Sequence, residues 1–386
     1  MDKYSKSITF LVFAILSLVV VVTGFASETS TDPDISPSGE KVRVGYAEGE
    51  PWGEFAGTLY ALVIGMQEQG IISGTENIPY EYGQFDSREM WQWLADNARS
   101  DYLEFVEDAY YSFSEDDPEA REELLSRLIQ GEEIDLMLSM GTESGRLLAV
   151  DDHQVPTLNF SSSNAVQGGI VDSSEDSGKD HIWAHMDPGR YGRQLEVLHD
   201  IFEFEQLGIV YEDSHLGRSF ADVPSLQQVA ISRGFELVSR HVDEPYPHEE
   251  NNKRYYRELM AAHQELSGEV DAMLVAIASI EVKKLPELMQ PFYRENVPTF
   301  SQLGVREVEY GVLMTVAQQD FMEIGMFGVD IVQQVIMGTL PRDLPQVFVD
   351  TPKIILNLEA TEKIGYKPPF EILLVADEVF RNIEGK

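Results

Sequence analysis

From Lys41 onward the chain alternates short, continuous apolar runs with longer stretches whose apolar residues recur every three to four positions. The short runs predict strands at Val42 to Tyr46, Ile134 to Met140, Pro156 to Phe160, Leu207 to Tyr211, Phe235 to Val242, Val270 to Ile277 and Val297 to Phe300. Leu103 to Phe113 reads as a more polar strand. The longer stretches predict helices at Phe55 to Gln69, Ser87 to Arg99, Pro118 to Gln130, Glu143 to Val150, Tyr191 to Phe204, Ser225 to Arg233, Arg254 to Leu266, Ile280 to Phe292 and Asp320 to Met337. Gly70, Gly131, Gly234 and Gly338 stand at the ends of four of these helices, and Pro118 stands in a first turn.

Strands that are apolar throughout belong to parallel sheets covered by helices on both faces. Two runs of about four strands, separated by a Gly-rich bridge, predict an α/β fold of two doubly wound parallel-sheet lobes. Ligands of such sheets bind at the carboxyl ends of the strands, where the strand order reverses.

The N-terminus departs from this rhythm. Lys3 and Lys6 precede an uncharged run from Ile8 to Val22, and Gly24 and Ala26 are small residues placed for a cut after Ala26. The run is about 15 residues, short of the roughly 20 that a spanning helix needs. The pattern predicts an exported protein with a signal peptide over residues 1–26; an uncleaved anchor is the alternative. Residues 27–40, rich in Ser, Pro and Asp, read as a flexible spacer. No cysteine follows the apolar run, so lipoprotein attachment is excluded.

Charge narrows the partners. The chain has 67 acidic and 28 basic residues, a formal net charge of −39, and the acid is spread along its length. Such a field repels nucleic acid and anionic lipid, and suits a solvated surface in a salty medium. The complete absence of cysteine removes disulfides, thiolate metal sites and thiol nucleophiles.

No nucleotide-binding, P-loop, zinc-protease or serine-hydrolase motif occurs, so no catalytic residue, cofactor or metal is assigned. His241, Asp243, His248 and Glu249 cluster in sequence, but their spacing matches no standard metal site. Polar turns at the strand ends offer binding chemistry instead. Gly141-Thr142-Glu143-Ser144 follows IDLMLSM and opens a helix, so Thr142 and Ser144 are candidates for seating a carboxylate on free backbone N–H groups; Thr142 could equally be a helix cap. Ser162 and Asn164 follow the next strand, as ligand contacts or as parts of a hinge turn. Asp213 ends the strand LGIVY and suits an ammonium group, while Ser219 suits a helix start or a ligand contact. Trp52, beyond the first strand, could stack on a ring or pack as a lid; Trp91 and Trp93 are expected to pack.

The order of segments resembles the type I periplasmic-binding-protein fold, in the group of ABC-transporter substrate-binding proteins that includes tryptophan- and tyrosine-binding members. The resemblance rests on VRVG at 42–45, IDLMLSMGTESG at 134–145, VPTLNFSSSNAV at 155–166, GRQLEVLHDIF at 192–202, LGIVYEDS at 207–214, VDAMLVAI at 270–277 and VPTFSQLG at 297–304. Its most specific part is Gly338-Thr339-Leu340-Pro341, Leu344-Pro345, IILNL at 354–358, Ala360 and Ile364-Gly365. One departure is residues 77–131, longer and more acidic than a minimal member needs.

The resemblance implies a monomeric, extracytoplasmic binder that closes two lobes on a small polar solute, with an amino acid as the natural ligand, and delivers it to a membrane permease. It adds Gln302 to the cleft-facing candidates. It implies lobes at 41–168 with 306–340 and at 169–305 with 341–386, and hinge strands near 163–170, 303–311 and 341–350. A sensory protein presenting its closed form to a receptor is the first alternative, and an enzyme on the same fold the second.

Overall fold

The computed structural model describes residues 40–385 apart from 82–83, 114–117, 132, 244–248, 278, 318–320 and 350–351. The segments expected as signal peptide and spacer, residues 1–26 and nearly all of 27–40, therefore lie outside the described residues. In chain order, the first elements are β1 (Val42–Glu48), α1 (Gly53–Glu68), α2 (Arg88–Asn97), β2 (Leu103–Ser112), α3 (Pro118–Gln130), β3 (Leu136–Met140), α4 (Gly141–Leu148), β4 (Thr157–Phe160) and β5 (Ile182–Ala184). The middle of the chain forms α5 (Arg190–Phe202), β6 (Gln206–Glu212), α6 (His215–Ala221), α7 (Val223–Arg233), β7 (Glu236–Val242), α8 (Glu249–Ser267) and β8 (Ala272–Val275). It continues through α9 (Leu285–Leu288), α10 (Gln290–Glu295), β9 (Thr299–Ser301), α11 (Val305–Glu309) and β10 (Met314–Thr315). The last elements are α12 (Phe321–Ile336), β11 (Ile355–Asn357), α13 (Leu358–Lys363), α14 (Phe370–Val375) and β12 (Glu378–Phe380). No described helix is long and apolar enough to cross a membrane.

The chain divides into two compact units. The first comprises the described residues of 31–188 and 320–350, and the second those of 189–319 and 351–386. The α/β architecture of two parallel-sheet domains is the one expected, but the crossing points fall at about 188, 320 and 350 instead of 168, 305 and 340. Specific contacts explain each shift. β5 joins the first sheet beside β4, which keeps residues 169–188 there. β10 pairs with β9, which keeps 306–317 in the second unit. Residues 341–349 stay with the first unit because the Met186 N–H donates to the Gln346 carbonyl at 2.8 Å, the Phe348 N–H donates to the Met186 carbonyl at 3.0 Å, and Trp183 Nε1 donates to the Pro345 carbonyl at 2.9 Å.

The first sheet has the order β2-β1-β3-β4-β5, with every pairing parallel. Its direction of growth reverses between β1 and β3. β2 gains three residues on β1 between the Val44–Phe105 and Tyr46–Tyr110 pairs, a bulge that accounts for the polar appearance of this strand in sequence. The central strand β3 is buried at all five positions. On one helix layer α1 and α12 approach closely through glycines: a Cβ on Gly325 would lie 2.6 Å from the Ala61 backbone, and one on Gly57 2.8 Å from the Phe321 ring. Trp91 is completely buried on α2 and donates to the Val106 carbonyl at 3.0 Å, which is the packing role expected of it.

The second sheet has the order β12-β11-β10-β9-β8-β6-β7 and reverses between β6 and β8. It is larger than expected, and its β10–β11 pairing is antiparallel. β10, β11 and β12 are only two or three residues long, too short for their pairing to be read from a local pattern. The single helix expected over Ile280 to Phe292 is broken, because Pro286 and Pro291 each lack the N–H that would continue it and instead sit at the starts of α9 and α10.

Candidate ligand-binding site

At the reversal point of the first sheet, β1 ends in Glu48, which has no exposure to solvent. Its carboxylate accepts hydrogen bonds from the hydroxyls of Tyr46 at 2.7 Å, Ser87 at 2.9 Å and Tyr110. Burial pushes the Glu48 carboxyl above its ordinary range, while the three donors pull in the other direction. The Gly49 N–H donates to the Met140 carbonyl, which ties the tip of β1 to that of β3. Trp52 follows as the residue that precedes α1; no side chain caps this helix, and the Trp52 ring meets Phe85 edge-on at 5.6 Å.

β3 runs directly into α4 at Gly141, whose φ is +88° and where a Cβ would lie 2.5 Å from the Phe55 ring, which leaves no room for a side chain. Thr142 is 5% exposed, and its Oγ1 has no hydrogen-bond partner. It is not the cap, since no side chain caps α4. Ser144 is otherwise engaged: its Oγ donates to the Met140 carbonyl at 2.6 Å and meets the Ser139 hydroxyl at 2.9 Å. Ser162 donates to Asn159 Oδ1 at 2.5 Å, and Asn164 Oδ1 accepts from the Gln167 N–H at 3.0 Å. These three expected contacts hold local turns together. Asn159, a residue not anticipated, links the Ser144 and Ser162 turns, since its Nδ2 also donates to the Gly141 carbonyl at 2.9 Å and to Ser139 Oγ at 3.0 Å.

In the second unit, β6 ends in Glu212, which is buried and accepts from the Tyr255 hydroxyl at 3.2 Å. Asp213 follows, but its carboxylate is ion-paired with Arg218 at 2.5 Å and lies 3.8 Å from His241. Ser219 does not start a helix, as one expectation had it. It is the fifth residue of α6, and the cap is Ser214, whose side chain accepts from the Gly217 N–H at 2.9 Å. Ser219 is 2% exposed and its Oγ has no partner. Gln302, just past β9, donates from Nε2 to the Phe220 carbonyl at 2.9 Å, which brings the end of β9 to α6; its Oε1 has no partner.

Within each unit, then, the expected residues gather at the carboxyl ends of the strands. The first brings Trp52 and Thr142 to its reversal point, and the second ties Asp213 and Gln302 to α6, the helix that carries Ser219, through Arg218 and the Phe220 carbonyl. Sequence reasoning missed Glu48 and Arg218. The signal for Glu48 was a carboxylate two positions after Tyr46, on the same strand face. Of the acidic and histidine cluster considered for metal, His248 lies outside the described residues, and no group of three metal-binding side chains occurs among those described.

A family profile described as ABC transporter substrate binding protein matches residues 98–380. No curated protein matches the chain in sequence. Among solved structures, an ABC domain in complex with L-Trp from Streptococcus pneumonia is 16% identical, covers 88% of this chain and 100% of its own, and superposes with a TM-score of 0.63. The ligand-free, open form of a substrate binding protein with adhesive properties from Clostridium difficile is 18% identical, with the same coverage and TM-score. A conserved domain protein from Vibrio cholerae is 17% identical with a TM-score of 0.62, again over 88% of this chain and 100% of its own. At these identities the likeness is one of fold.

Proposed function

The chain belongs to the ABC transporter substrate-binding protein family, and from that premise we propose that it is the extracytoplasmic solute-binding subunit of an importer, taking up a small polar ligand and presenting it to a membrane permease. Binding without turnover is the chemistry of that family. The observation that carries the reading is the set of enclosed side-chain oxygens without partners, Thr142 Oγ1 in the first unit and Ser219 Oγ and Gln302 Oε1 in the second. An unsatisfied buried polar atom costs about 1–3 kcal/mol, so it is retained where a ligand can satisfy it. Thr142 and Gln302 stand just past the carboxyl ends of strands and Ser219 in the helix that follows one, the region where ligands of doubly wound sheets bind.

The ligand side of the proposal follows from the neighbours of these atoms. Thr142 lies in the first turn of α4, where free N–H groups favour a carboxylate. Trp52 and Phe85 offer aromatic surface beyond β1. An amino acid, including one with a ring like the L-Trp held by the Streptococcus relative, fits both features. Contacts to both units would drive hinge closure, because the closed form gains what neither unit supplies alone.

The test is thermal unfolding of the purified protein against amino acids and other small metabolites at about 1 mM. A ligand bound with micromolar affinity stabilises the protein by about 4 kcal/mol and raises the midpoint. A panel with no stabilising solute of any class would overturn the reading.

A further inference from the structure

We infer that Glu48 is a positioning residue for the ligand site of the first unit: its buried carboxylate hangs residues 85–88 from the tip of β1 and so holds the Phe85 ring against Trp52 at the reversal point of the sheet. The inference rests on the reading of the chain as a small-molecule binder and adds what sets the mouth of that site.

The attachment is local and buried. Glu48 accepts from the Ser87 hydroxyl at 2.9 Å, and neither residue has any exposure to solvent. Ser87 precedes α2, a helix that no side chain caps. The turn around it is closed on itself. Gln84 Nε2 donates to the Asp86 carbonyl at 3.0 Å, the Arg88 N–H to Asp86 Oδ1 at 2.8 Å, and the Trp91 N–H to the Ser87 carbonyl at 2.9 Å. The turn therefore moves as one piece, and Ser87 Oγ is its buried anchor on β1. Phe85, two residues away, is 40% exposed where it meets Trp52 edge-on. A ring contact so open to water is weak and does not fix its own geometry. A second tie ends in the same cluster: the Arg88 guanidinium lies 4.5 Å over the ring of Tyr110, whose hydroxyl donates to Glu48.

The hydroxyls of Tyr46, Ser87 and Tyr110 each place their one proton on Glu48. That donor set fits an ionised carboxylate, which only accepts. A protonated carboxyl has a proton of its own to place, so one hydroxyl must turn away. Ser87 Oγ, 3.1 Å from the Tyr46 hydroxyl, has another partner to turn to. Burial, with Asp86 adding to it, outweighs the three donors and raises the carboxyl, so the exchange falls above the ordinary carboxylate range. The remaining charged groups nearby are Arg88 on α2 and, beside Gly49, Glu143 on α4, itself 3.3 Å from Arg121.

Ser87→Ala and Glu48→Gln test the clamp, the first being the milder change because both tyrosines keep their acceptor. In hydrogen exchange of the ligand-free protein, the amides of residues 85–91 should open about tenfold faster in Ser87→Ala, with α1 and β3 unchanged. Unchanged protection there, or a loss spread over the whole unit, would overturn the inference. L-tryptophan is the probe for calorimetric titration. Its affinity should fall about fivefold or more in Ser87→Ala, and in the wild type it should weaken between about pH 7 and pH 5, a dependence that Glu48→Gln removes. Parallel pH profiles for wild type and Glu48→Gln would also overturn the inference. No binding of L-tryptophan by the wild type would overturn the reading of a ring-bearing ligand, while the exchange measurement still decides the clamp.

Discussion

Tyr46 and Glu48 lie two positions apart on β1, and the tyrosine hydroxyl donates to the carboxylate at 2.7 Å inside a region that solvent does not reach. The strand's period of two places both side chains on one face. The β1–β2 register then brings Tyr110, the partner of Tyr46, to the same carboxylate. Through Ser87 the cluster also holds the start of α2, and Phe85, two residues earlier, is the ring that meets Trp52.

This cluster has a pH signature. The folded Glu48 carboxyl sits above its ordinary value because it is buried. Its favourable contribution is therefore full in acid and is lost as pH rises through the folded value. Glu48→Gln abolishes the titration, so the stability of the wild type relative to the variant should decline between about pH 4 and pH 8. Urea midpoints of both proteins across that range measure it, and parallel curves would contradict the raised value.

The buried histidines act in the opposite direction. His263 is lowered to about 4 by burial, and His153 to about 4 by burial and the neighbouring His181. A folded value below the unfolded one, about 6.5, gives stability that is present above that pH and lost as pH falls toward 4. His263→Asn should flatten the acid limb of the stability curve while lowering stability at neutral pH, because the ring nitrogen that meets the Leu288 carbonyl is lost. Differential scanning calorimetry from about pH 7 to pH 4 reads both effects.

The glycine seam between α1 and α12 should tolerate no methyl group. Gly325→Ala places a Cβ 2.6 Å from Ala61 backbone and side-chain atoms, which cannot swing aside as a flexible side chain would. The expected cost is about 2 kcal/mol or more in denaturant unfolding. Gly70→Ala is the control for a glycine held by positive φ alone, with no atom near its missing Cβ; its cost should be smaller, about 1 kcal/mol.

Thr142→Val and Ser219→Ala separate binding from folding. In the ligand-free protein each hydroxyl oxygen is enclosed without a partner, so its removal should leave stability unchanged or improved. Ligand affinity should nevertheless fall, by about tenfold for each. Variants that lose stability and keep affinity would show that these oxygens serve the fold.

The element pattern by itself determined that this is an α/β chain of two parallel-sheet units, because buried parallel strands must be apolar at every position. It also located the polar turns, since Thr142, Asp213 and Gln302 all stand just beyond the ends of such runs. Tertiary structure alone decided which unit each late segment joins: β5 and residues 341–349 are assigned by backbone pairing and by the Trp183–Pro345 bond, which no local pattern encodes. It likewise decided which polar side chains remain available. Ser144 and Ser162 are spent on the turns around Asn159, Asn164 on the Gln167 N–H, and Asp213 on Arg218, because a hydrogen bond or ion pair depends on distance in space and the sequence records only distance along the chain.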